Sequence, residues 1–165
     1  MMIVPIIIAV AAASAAGAVL YKPVQAVPIS GVECHPTEQN NYHVHSHLDV
    51  FVDGQKQEVP AGIGILSSPS CFYWLHTHSA DGIIHVEAPQ TKSFTLGQFL
   101  DIWKQTKDPN GFFNSVAGKN VTAYVDGKQF DANYRDIQLE SQKQIVLAYG
   151  NPPAKIPEYR FGNLK

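Results

Sequence analysis

The stretch His43 to Val52, "HVHSHLDVFV", alternates polar and apolar residues along its length. Val44, Leu48, Val50 and Val52 fall on one face of an extended chain, and His43, His45, His47 and Asp49 on the other. A period of two predicts a β-strand with one face on a core. Asp53-Gly54 then supplies a tight turn, so Gln55 to Val59 is expected to return as a hairpin partner.

Outward from this strand, further strands are expected at Cys71–Thr77, Ile83–Glu87, Val121–Val125 and Gln144–Tyr149, punctuated by Asp81-Gly82, Asp126-Gly127 and Gly150-Asn151-Pro152. In "SFTLGQFLDIWKQ", Leu96, Phe99, Leu100 and Trp103 recur at helical spacing, which predicts one amphipathic helix at about 95–106. Thr95 and Gln98 form a capping box, with Phe94 and Phe99 at staple positions. The segment Lys107 to Gly111 ends the helix. The expected class is α+β: a mainly antiparallel β-sheet domain with that single helix. "VFVDGQKQ" at 50–57 echoes "AYVDGKQF" at 123–130, which reads as two like hairpins or a duplicated β-unit. The proline-rich C-terminus is expected to run extended over the surface.

A chain of 165 residues with 45% hydrophobic and 16% charged residues supports one packed domain, assigned to 31–165. The formal net charge of −2 offers nucleic acid no attraction. Residues 1–21 carry no charged side chain, and "KPVQAVPIS" follows as a linker, so 1–30 reads as a secretory signal or a transmembrane anchor plus linker. The lack of an N-terminal Lys or Arg weakens the cleaved-signal reading, while Val24-Gln25-Ala26 resembles a small-residue cleavage site, so signal and anchor both stand. Both alternatives put the domain outside the cytoplasm, in the periplasm or at the cell surface, with the membrane as a partner through the N-terminal segment. Cys34 and Cys71 are expected to pair there as a disulfide.

All seven histidines lie between positions 35 and 85. His43, His45 and His47 form one series, His76 and His78 a second, and His85 stands in "GIIHVEAP"; His35 is read as an outlier beside Cys34. Strand residues two apart point the same way about 6.6–6.8 Å apart, so two imidazoles can converge on one cation, whereas His43 and His47, about 13 Å apart, cannot share an ion on a regular strand. The set His43, His45, His47, His76, His78 and His85 is therefore expected to ligate a transition metal. Zinc or copper suits imidazole donors, and calcium or magnesium does not. Asp49, Asp81 and Glu87 are candidates for orienting those rings.

Three chemistries fit such ligands. Extracytoplasmic copper or zinc binding, for storage or for delivery to a partner protein, is the first. A zinc-dependent lyase or hydrolase is the second, with three histidines and an open water position loosely like alpha-type carbonic anhydrases. A cupredoxin-like electron carrier is the third, because Cys71 to His76 resembles a Cys–His copper loop, though no methionine follows Met2 to act as axial ligand. A pH-sensing histidine cluster is a non-metal alternative. No Gly-x-Ser-x-Gly or phosphate-cradling glycine loop is present.

Together, "HVHSHLDVFVDG", "PAGIGI", "CFYWLHTHSADGIIHVEAP" and "FTLGQFLDIW" resemble the motifs of an uncharacterised family of small exported, His-rich bacterial and archaeal proteins, over residues 31–105. The resemblance implies that Cys34, Cys71 and the two His-x-His pairs belong to one constellation. It brings no established activity.

Overall fold

The computed structural model describes residues 26–108 and 110–164. The expected signal or anchor at 1–21 lies outside the described residues, and no helix among those described is long and apolar enough to cross a membrane.

Among the described residues, ten strands and few helical turns make up the fold, which is mainly β-sheet with one substantial helix. In chain order the strands are β1 (Cys34–His35), β2 (Tyr42–Val52), β3 (Gln55–Gln57), β4 (Ile65–Ser67), β5 (Ser70–Tyr73), β6 (Leu75–His76), β7 (Ile83–Ala88), β8 (Val121–Val125), β9 (Lys128–Phe130) and β10 (Lys143–Tyr149). Helix α1 (Leu96–Thr106) and the single turn α2 (Phe112–Ser115) lie between β7 and β8. The main sheet runs β6-β7-β2-β10-β8-β9, with β3 paired to the end of β2, and a small sheet runs β1-β5-β4.

Most pairings are antiparallel, as the strand pattern implies, but the central pair β2·β10 is parallel. Strand β10 follows the β8–β9 hairpin and inserts between β8 and β2, where its last six residues, Gln144 to Tyr149, are all buried, as a central strand requires. Both Val-Asp-Gly echoes are hairpin turns with positive φ at Asp53, Gly54, Asp126 and Gly127. Each aspartate also anchors one end of β10: Asp126 Oδ1 accepts from Gln144 N, and Asp53 Oδ1 from Asn151 N.

The expected strand Cys71–Thr77 is divided. The chain leaves the small sheet after Tyr73, and resumes in the main sheet at Leu75, while Trp74 bridges the two by donating to Glu33 O and accepting from Glu87 N.

Helix α1 begins as its residues dictate. Thr95 caps it, and Gln98 closes the reciprocal bond of the capping box. Its Leu96, Phe99, Leu100, Ile102 and Trp103 are buried in one core with Leu48 and Val50 of β2, Ile84 and Val86 of β7, and Ile145, Leu147 and Tyr149 of β10. The sheet's opposite face is therefore the histidine face. The C-terminal segment straps part of it: Ile156 packs on Phe51, Val146 and Ala148, Gln144 Nε2 donates to Pro157 O, and Tyr159 stacks on His47 at 3.7 Å.

Candidate metal centre

Sheet order and register bring the histidines together. Strand β7 lies between β6 and β2, and His85 is the cross-strand partner of both His45 and His76. One row of three imidazoles thus crosses three strands. One step along, Glu87 of β7 is opposite His43. His78, just past β6, folds back so that its Nε2 stands 3.3 Å from His76 Nε2.

Two groups of ligand atoms result, each with all members within 4.8 Å of one another: His76, His78, His85 and Glu87, and His43, His45 and His85. His85 belongs to both. His43 Nε2 and His45 Nε2 are 3.1 Å apart, and His43 Nε2 is 3.1 Å from Glu87 Oε1. Two nitrogens about 2.0–2.1 Å from a tetrahedral ion stand about 3.3 Å apart, so both His-x-His pairs have the spacing of a tetrahedron edge.

The buried ring His76 is oriented for ligation. Its Nδ1 donates to the Tyr73 carbonyl at 2.8 Å, and a carbonyl only accepts, so the neutral ring keeps its lone pair on Nε2, facing the cluster. Burial lowers its pKa to about 4, outweighing the Tyr73 bond and the Glu87 charge, so the ring is neutral at physiological pH.

Glu87 is the only buried carboxylate of the cluster. Burial pushes its pKa up, but the contact with His85 and the nearby His76 and His43 rings outweigh burial and hold it below its ordinary value. Its Oε1 lies 3.1 Å from His43 Nε2, 3.4 Å from His85 Nδ1 and 3.9 Å from His76 Nε2. The His85 contact is long for a hydrogen bond. Among the described residues Oε2 has no hydrogen-bond partner, and no lysine or arginine pairs with Glu87. A buried anion is costly without a cation beside it.

One contributor escaped sequence reasoning. Glu38, in the loop between β1 and β2, places Oε1 3.2 Å from His78 Nε2 and 3.9 Å from His76 Nε2. Nothing periodic marks it; its only cue is its nearness to Cys34, which tethers that loop.

His47 stands apart. Its Nε2 donates to Asp81 O at 3.0 Å, its Nδ1 is 3.6 Å from Asp49 Oδ2, and Tyr159 covers its face. Burial lowers its pKa more than Asp49 raises it. Asp49 pairs with Lys56 at 2.7 Å, while the Asp81 carboxylate accepts from Ile83 N and Ser79 Oγ. Of the three acidic candidates, Glu87 is in the cluster, whereas Asp49 and Asp81 surround His47. His35 contacts Glu33 and Trp74, outside both groups.

Cys34 and Cys71 form a disulfide, with Cα atoms 5.6 Å apart. Cys71 therefore has no thiolate for copper, which removes the cupredoxin ligand set. Five histidines and a buried carboxylate on one sheet face form groups compatible with metal binding. No family model, curated protein or solved structure matches this chain, so the reading of its function rests on this geometry.

Proposed function

We propose that this protein binds copper or zinc outside the cytoplasm, through His43, His45, His76, His78, His85 and Glu87, and holds the metal for storage or for delivery to a partner protein. The observation that carries the reading is the in-register row His45–His85–His76 beside a buried Glu87 that pairs with no lysine or arginine among the described residues. Imidazole with carboxylate is a donor set for zinc and copper, and the neutral His76 lone pair is ready for either. Export is supported by the Cys34–Cys71 disulfide and by the uncharged residues 1–21, which would also bring the protein to the membrane.

The test is metal analysis of the untagged full chain after reconstitution with Cu(II) or Zn(II) and gel filtration. At least one ion per chain is expected, and substoichiometric metal overturns the proposal. His43 and His78 at the exposed rim favour a second reading, because they leave room for a water on zinc. Ester hydrolysis or CO₂ hydration by the zinc form, lost in His45→Ala, would establish that enzyme reading; bound metal without turnover leaves binding and delivery.

A further inference from the structure

The two ligand groups meet on a single strand. Strand β7 contributes His85 and Glu87, two residues apart on one face, and a His-x-His pair flanks it on each side: His43 and His45 from β2, His76 and His78 from the β6 end. Each flanking pair has its two Nε2 atoms at 3.1 or 3.3 Å. Adjacent strands are about 4.8 Å apart, so β2 and β6, separated by β7, lie about 9.6 Å apart.

We infer that the site holds two transition-metal ions, one on each His-x-His pair, joined by the Glu87 carboxylate. This rests on the metal-binding reading and goes beyond it in number and division of ligands. A neutral imidazole has one free lone pair, so His85 serves one ion at a time. A carboxylate has two oxygens, and Glu87 stands beside both pairs: Oε1 lies 3.1 Å from His43 Nε2 and 3.9 Å from His76 Nε2, while Oε2 has no hydrogen-bond partner among the described residues. Bridged ions of this kind stand about 3.5–4 Å apart, a span that fits over one strand. Glu87 and Glu38 supply two negative charges to the cluster, enough to offset half the charge of two divalent ions, and the exposed rim at His43 and His78 admits water or an anion for the rest.

The test is titration of the metal-free, untagged full chain with Cu(II), read by retained copper after gel filtration and by electron paramagnetic resonance. Two retained coppers per chain are expected, with a spin count at saturation well below two because the ions couple through the shared carboxylate. His43→Ala and His78→Ala each remove an exposed ligand at the rim, so folding is not at stake. Each is expected to weaken one of the two coppers by about 10-fold or more and leave the other as an isolated, uncoupled signal. One retained copper in the unaltered protein overturns the two-ion inference and leaves metal binding standing. Two coppers with fully additive, uncoupled spins overturn the shared carboxylate. No retained copper overturns both this inference and the reading beneath it.

Discussion

Within the cluster, burial decides what His76 does. The Tyr73 carbonyl holds the proton on Nδ1, and desolvation outweighs Glu87's attraction for a second proton, so the ring offers a lone pair at neutral pH. The same depression sets how stability varies with pH. His76 and His47 both have folded pKa values below the unfolded value of about 6.5. Below that pH the unfolded chain takes up protons that the folded chain refuses, so the stability of the metal-free protein falls as pH drops from 6.5 toward 4. Each such histidine contributes at most about 1.4 kcal/mol per pH unit in that window. Thermal melts of the metal-free protein across this range are expected to show the fall. His76→Gln should flatten it, and a melting temperature indifferent to pH would contradict the buried neutral ring.

Among the elements, β7 is the organiser. It brings His85 and Glu87 between two strands whose own histidines are too far apart to meet without it. Its entry is set by Gly82, whose φ of +82° suits glycine. A Cβ there would lie 2.5 Å from Leu48 O and 3.0 Å from His47 Nε2. Gly82→Ala is therefore expected to cost more than about 1 kcal/mol in denaturant titrations. It should also weaken metal binding, because displacing β7 moves His85 and Glu87 relative to both flanking strands. Thr95→Ala provides the contrast. It removes a helix cap on the far side of the core at a cost of about 1 kcal/mol, with metal affinity unchanged. If both variants lost metal equally, the effect would come from stability and not from the position of β7.

Over the whole molecule, a disulfide and a packed C-terminal strap hold the histidine face. The disulfide joins β1 to β5 across a separation of 37 residues and so holds the loop that carries Glu38 beside His76 and His78. Loop-closure entropy attributes roughly 3–4 kcal/mol of stability to such a link. Chemical denaturation of Cys34→Ser/Cys71→Ser should show a loss of that size, together with weaker metal binding as Glu38 is released; unchanged affinity would remove Glu38 from the site. At the other end of the face, the C-terminal strap packs Tyr159 on His47 and Ile156 on Phe51, Val146 and Ala148.

Local covalent geometry made much of this legible in the sequence. A period of two places His43, His45 and His47 on one face whatever the strand pairs with, and the same rule excludes His43 and His47 from one ion. Thr95 and Gln98 specify the start of α1 through bonds within four residues, and Asp-Gly turns specify both hairpins. Partner choice is not local. The parallel pairing of β2 with β10, the jump between sheets at Trp74, and the placement of β7 between β2 and β6 depend on which apolar faces bury together. Those choices set the row His45–His85–His76, bring Glu38 in and leave His47 beneath Tyr159. Residue type and strand periodicity settle which side chains are able to ligate and which way they point along each strand; which of them meet is settled by the fold, because a ligand set is assembled across strands by register and core packing.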